Sequence, residues 1–372
     1  MLAALSAIGV AGFLALSHDG VDPFGRPLGT DFLSFWTAAR LTLAGNAAGA
    51  YDPVIHAAAQ QAAFPSAPGY YAFFYPPTFL LICLPLALLP YGWALLCWLA
   101  AGFATFIAVA RRLVPRAWAW LPLLAFPGNL INLGHGQNGF VTGACLGGFV
   151  VLYRRRPFLA GLCLGALVIK PHLLLAAPIG LLAARRWRVL AGAACSGLAL
   201  LALSWAVLGG QAWRGFLADS PLAMATLEQG LVEPWKMVST FAAVRLLGGG
   251  IALGFVVQAV VGLVACGMLA RVLAGRPGGP AEPALIVCAT MLCTPFLLDY
   301  DLTALLLPIA WLMGEAVETG WRPWEKISLL AAYALPVMAR PLAQISGLGI
   351  APLVILCLLT VVAFRVQAGR SS

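Results

Sequence analysis

The sequence predicts an all-α, polytopic membrane protein. Of its 372 residues 62% are hydrophobic and only 9% charged, against about 45–50% and about 25% in ordinary soluble domains. The mean hydropathy of +0.93 agrees. The apolar residues also fall in runs, near 2–16, 77–89, 92–110, 116–132, 138–153, 157–184, 188–208, 250–274, 283–298, 301–316, 326–341 and 346–364. A soluble fold of this composition has too few polar residues to cover its surface. A bilayer supplies an apolar solvent, in which helices satisfy their own backbone groups. The runs predict a single domain over 1–372 with about 11–13 spans.

The runs differ in kind. The 2–16 run has the length of a signal-peptide core but neither a basic start nor a small-residue cleavage site before Asp19, so it predicts a first membrane helix. Residues 17–73 form a long, less apolar connection that holds Asp19, Asp22, Asp31 and Asp52, four of the seven aspartates. Within it, 31–46 reads DFLSFWTAARLTLAGN, with Phe32, Phe35, Trp36 and Ala39 at helical spacing and Thr37 and Arg40 off that face. This predicts a short juxtamembrane helix lying on the bilayer. The 77–89 run is short for a span, which needs roughly 20 residues. The 157–184 run is interrupted by Lys170-Pro171, as a kinked helix or a re-entrant hairpin would be. A second long connection covers 209–249.

Charge gives an orientation. The net charge of +9 comes from 19 Arg and three Lys (Lys170, Lys236 and Lys326). In a membrane protein a basic excess reads as cytoplasmic loops rather than nucleic-acid binding. Arg111, Arg112 and Arg116, then Arg154, Arg155 and Arg156, then Arg185, Arg186 and Arg188, then Arg271 and Arg276, and finally Arg365 and Arg370 mark that side. The 17–73 and 209–249 connections are expected on the other. The nine cysteines sit singly in apolar runs and read as small buried residues. No phosphate-binding glycine loop, zinc-protease motif or nucleophile elbow is present.

Five places carry polar residues where an apolar chain has least reason to keep them. Asp31 is either a surface carboxylate able to take a proton or a plain helix N-cap. Tyr75-Pro76-Pro77 opens an apolar run, as helix starts do. Gly134-His135-Gly136-Gln137-Asn138 exposes three polar side chains in one turn between two runs. Lys170-Pro171-His172 puts a cation at membrane depth, where it needs a partner, a polar cavity or an escape to the interface. Asp299-Tyr300-Asp301 is a solvated turn or a pair of working carboxylates. Arg245 and Arg340 lie on the non-cytoplasmic side against the usual bias, as an anionic ligand would require.

Taken in order, Asp31 before its helix, Ala50-Tyr51-Asp52, Tyr75-Pro76-Pro77, Gly136-Gln137-Asn138, Lys170-Pro171 and Thr294-Pro295 with Asp299-Tyr300-Asp301 resemble glycosyltransferase family 87 over nearly the whole chain. The resemblance implies a GT-C-type bundle with short juxtamembrane helices in its first outer loop, in a bacterial inner membrane. It also implies transfer of a sugar, by default mannose, from a polyprenyl-phosphate donor to a glycan or glycolipid acceptor outside the cytoplasm. Asp31 matches the family's loop aspartate, the expected base. The better-studied mannosyltransferases place a histidine in the late outer turn, where this chain has Asp299-Tyr300-Asp301.

That chemistry is self-consistent. Phosphate leaves without a general acid, so one base suffices and the sugar inverts. Lys170, Arg245 and Arg340 are the expected contacts to the donor phosphate. Tyr75, His135, Gln137, Asn138, His172, Asp299, Tyr300 and Asp301 are the expected contacts to sugar and acceptor. No metal or other cofactor is required. A transporter or flippase would also want an intramembrane charge and broken helices, but it predicts an internal repeat that the sequence lacks. A non-catalytic scaffold leaves the polar clusters without a purpose.

Overall fold

A computed structural model describes residues 12, 15–18, 20–67, 69–274 and 279–368. The expected first span over 2–16 falls almost wholly outside them. Sixteen α-helices and no strands are found among the described residues, so the chain is an all-α polytopic membrane protein. Among the described residues four stretches are long and apolar enough to cross a bilayer alone: Tyr91–Arg111, Trp187–Glu228, Ile251–Leu273 and Asp299–Thr319.

The first connection holds α1 (Phe32–Leu43) and α2 (Pro53–Ala63). Asp52 caps α2, its side chain accepting from the Val54 and Ile55 amides. The expected apolar face of α1 packs on protein rather than on lipid. Phe32, Phe35 and Ala39 are enclosed by protein, and so are Leu33, Ser34, Thr37 and Ala38. Phe35 meets the rings of Phe79 at 4.9 Å, Tyr75 at 5.3 Å and Trp98 at 6.1 Å. An apolar helix face seeks any apolar partner, and here that partner is an aromatic cluster.

Helix α3 (Pro77–Cys83) continues as a 3-10 turn to Leu88 but does not cross the membrane. It starts beside the site and ends against α1, where Trp36 donates to the Leu89 carbonyl at 3.1 Å. Helix α4 (Tyr91–Arg111) is the first described crossing. The 17–73 connection and Arg111 therefore lie at opposite ends of the bundle. The chain returns through α5 (Trp120–Leu124) and α6 (Pro127–His135) and leaves again in α7 (Gly139–Leu152).

The 157–184 run is a hairpin. Helix α8 (Pro157–Gly165) extends through a 3-10 turn to Lys170, whose backbone leaves helical geometry, and α9 (Ala177–Ala183) follows. The long helix α10 (Trp187–Glu228) shows the direction. A Cβ on Gly161 would collide with the Val189 carbonyl, one on Gly165 with the Ala193 carbonyl, and one on Gly197 would meet Val168. Helix α8 and the start of α10 thus run side by side in the same direction, joined through small residues. The stretch between them must turn back, and Lys170 is its tip.

Beyond Gly209, which has φ 75° inside α10, that helix runs into the expected second outer connection and fills half of it. The short α11 (Thr240–Leu246) and the crossing α12 (Ile251–Leu273) follow. Next come α13 (Glu282–Cys293), α14 (Leu306–Thr319), α15 (Glu325–Ser346) and α16 (Ala351–Ala368).

The arginine-rich end is closed by two buried carboxylates. Glu282 accepts from Tyr153 at 2.6 Å and from Arg186 at 3.0 Å. Glu325 is clamped by Arg365, which also donates to the Gly320 carbonyl at 2.7 Å.

His56 ties α2 to α1. Its ring lies 3.2 Å from both the Ser34 carbonyl and Thr37 Oγ1. Burial holds the imidazole down at about 4, below its ordinary 6.5, although the Ser34 carbonyl opposes this. An unfolded loop takes up the proton near pH 6.5, while the folded loop resists it. The anchorage is therefore expected to weaken as pH falls from 6.5 towards 4. Hydrogen exchange over 32–64, corrected for intrinsic rate, should accelerate between pH 7 and pH 5, and His56→Gln should remove that dependence.

Candidate active site

The helix ends and turns opposite the arginine-rich end bring most of the expected residues into one network. Gly136 makes this possible. It has φ 62°, and a Cβ there would lie 2.7 Å from the Phe32 Cβ and 2.8 Å from the Gly29 carbonyl. Only glycine accepts both constraints, so the 134–138 turn sits directly against the start of α1.

Asp31 occupies the N-cap position of α1 but caps nothing. Its Oδ2 instead accepts from Gln137 Nε2 at 2.9 Å. The Gln137 Oε1 accepts from the Tyr75 hydroxyl at 3.1 Å and from the Asn138 amide at 3.0 Å. One buried amide thus reads both neighbours and holds the carboxylate in a fixed orientation. Burial first, then the charges of Asp301 and Asp31, raise the Tyr75 phenol above its ordinary value, so it stays a donor.

A second chain runs deeper. Lys170 donates to Asn138 Oδ1 at 3.2 Å and pairs with Asp301; both charged side chains are at least 97% buried. The ammonium also lies 4.9 Å from the centre of the Tyr300 ring, a favourable cation–π position. Asp301 turns its other oxygen to the Leu298 amide at 3.2 Å. Asp299 faces Arg340 at 3.6 Å. Arg340 is 32% exposed, so it can reach a ligand where Lys170 cannot.

His135 sits between these chains, with Nδ1 3.2 Å from Thr30 Oγ1 and its ring centre 6.2 Å from that of Tyr300. The pairing of 237–238 with 297–298, including Val238 N to Leu297 O at 2.8 Å, pins the second outer connection beside the 299–301 turn.

Two expected residues stand apart. Arg245 donates to the Gly249 carbonyl at 2.9 Å and lines a small separate pocket with Leu227, Pro234 and Phe241. His172 lies on the returning leg of the hairpin, and its Nε2 is enclosed without a hydrogen-bond partner among the described residues. Sequence reasoning had also missed Trp98, which donates to the Gly136 carbonyl at 3.1 Å, and Asn132, whose Oδ1 receives the Gly139 amide at 2.8 Å. Both sit inside ordinary apolar runs and carry no signal of their own.

The arrangement offers a carboxylate oriented by Gln137, an accessible guanidinium facing Asp299, and a buried ion pair between Lys170 and Asp301. Among the described residues no group of three or more His, Cys, Asp or Glu could hold a metal ion.

Lys170→Met alone leaves Asp301 buried without a partner, which is expected to cost about 3–5 kcal/mol. The double variant with Asp301→Leu should recover most of that loss, as read by thermal unfolding in detergent.

No curated protein and no solved structure matches the chain. The description Glycosyltransferase family 87 matches residues 73–295, more than half its length and including Tyr75, the 134–138 turn and the Lys170 hairpin. By that match, the chain belongs to glycosyltransferase family 87 and is a membrane glycosyltransferase.

Proposed function

We propose that this protein moves a sugar, mannose by family default, from a polyprenyl-phosphate donor to an acceptor hydroxyl with inversion. The face carrying Asp31 is the periplasmic or outer face of a bacterial inner membrane. Support for that orientation comes from the arginines gathered at the opposite end. The observation that carries the reading is the Asp31 carboxylate, fixed through one oxygen by Gln137 and bonded through the other to no described residue.

In this reading Asp31 takes the proton of the acceptor hydroxyl as its oxygen attacks the anomeric carbon. The bond from that carbon to the phosphate oxygen breaks from the opposite face, and the phosphate leaves as an anion. Arg340 meets that anion. Lys170 and Asp301 form the floor beneath it, a revision of Lys170 as a direct phosphate contact, because its charge is already balanced. Gln137 orients the base rather than touching the acceptor. His135, Tyr300 and Asp299 remain for sugar hydroxyls.

The test is transfer of labelled mannose from polyprenyl-phosphate mannose by the full chain in membranes. Asp31→Asn is expected to lose at least about 10²-fold in kcat; persistent transfer would remove Asp31 as base. Arg340→Gln should raise the donor KM and lower kcat together. Gln137→Leu should lower kcat with the donor KM unchanged. Failure of a whole panel of polyprenyl-phosphate sugars would overturn the donor class.

A further inference from the structure

A second polar cluster lies along the first outer connection, away from Asp31, and nothing in the reaction above uses it. The outer half of α10 carries Ala212, Gly215, Phe216 and Asp219 at positions i, i+3, i+4 and i+7, which form one helix face. That face packs on residues 48–51. A Cβ on Gly215 would touch the Tyr51 Cβ at 3.2 Å, and the Phe216 and Tyr51 rings lie 5.9 Å apart. Asp219 is the next position along the same face, one turn beyond the contact with Tyr51.

Two donors there are unmatched, while Asp52 caps α2 and the Tyr70 hydroxyl lies 3.4 Å from His56 Nδ1. Tyr51 is 95% buried and its hydroxyl has no hydrogen-bond partner among the described residues. Trp213 packs against Phe216 at 6.2 Å, and its Nε1 is likewise enclosed and unpartnered. Buried polar groups are nearly always satisfied, so two orphans that both pack on Phe216 call for an explanation. Asp219 is only partly exposed and has no described hydrogen bond or ion pair. Burial first, and among lesser causes the charge of Asp219, raises both the Tyr51 and the Tyr70 phenols above their ordinary value, and Asp52 adds to this at Tyr70. Tyr70 itself is 38% exposed and closes the cluster with an open aromatic surface.

The donors and acceptors together identify the ligand. A cation would be met by the carboxylates and by a lone pair of Tyr51 Oη but would leave Trp213 Nε1, which only donates, unsatisfied. An anion would be repelled by Asp52 and Asp219. A neutral polyol satisfies both sets, since each hydroxyl donates to a carboxylate and accepts from a phenol or indole, while an aromatic face packs on the ring's C–H groups. An aromatic wall also leads from this cluster to the site. Phe73 lies 5.7 Å from the Tyr51 ring and 5.6 Å from the Tyr75 ring, and Tyr75 bonds Gln137.

We infer that Tyr51, Asp52, Tyr70, Trp213 and Asp219 form a carbohydrate subsite that holds a sugar unit of the acceptor beyond the one whose hydroxyl reacts. This rests on the reading of the Asp31 face as the place of transfer. It makes the acceptor a glycan of at least two units, and it places the recognition of that glycan on the outer half of α10.

The test uses the full chain in detergent with three probes: α-linked mannobiose, cellobiose and chitobiose. Binding is read by saturation-transfer NMR. At least one probe should bind, and Asp219→Ala should weaken it about tenfold or more, the worth of a hydrogen bond to a charged group. Tyr51→Phe removes only an orphan hydroxyl. It should leave thermal stability equal or higher while weakening binding, a split that a structural role would not produce. Absence of binding by all three probes would overturn the subsite. So would binding that neither variant weakens, binding lost in Asp31→Asn, or uptake of calcium or magnesium in place of sugar. If binding depends on Asp219 but no donor sugar is ever transferred, the subsite stands and the assigned reaction falls.

Discussion

A lysine in an apolar interior must be neutralised, and the pairing of Lys170 with Asp301 is the interaction around which the rest of this structure is arranged. The two residues are 131 positions apart. Bringing them together requires the hairpin that presents Lys170 and the turn that presents Asp301 to meet at one depth. Asn138 completes the contact and thereby fixes the start of α7 at the same level. Gln137 is the next residue back, so the position of the Asp31 carboxylate follows from an ion pair that it never touches.

Helix length enforces the same level. Helix α7 has 14 residues and α13 has 12, which is about 21 Å and about 18 Å at 1.5 Å per residue. Neither crosses an apolar layer of about 30 Å. Both start or end at the arginine-rich end and meet the site at the other, as does the Lys170 hairpin. The candidate site is therefore floored by the ends of short helices. The enclosed α1 stands beside it.

Much of this was legible because an apolar chain can hide few polar residues. Asp31, Gln137, Asn138, Lys170 and Asp301 stood out as exceptions, and they meet. Gly136 was legible as a turn residue, and the close approach to Gly29 explains why glycine is needed there. Partnerships were not legible. Nothing local to Lys170 announces that Asp301 balances its charge, so it read as a phosphate contact. Arg245 read the same way, although its guanidinium is spent on a carbonyl four residues on. The apolar face of α1 read as lipid-facing because lipid and protein interior are the same solvent to a sequence pattern. The buried Glu282 and Glu325 drew no notice, because a carboxylate at a helix start usually marks an exposed first turn.

The carboxylates that close the arginine-rich end have a consequence for protons. The protein carries two polar layers, one around Glu282 and Glu325 and one around Asp31 and Asp301. Helix α13 joins them, and its residues 283–292 include no Asp, Glu, His, Lys or Arg and are buried throughout. A proton released at the upper layer finds no stepping stone along this helix to the lower one. In the reading of Asp31 as the base, its proton therefore has no relay along α13 to the arginine-rich end.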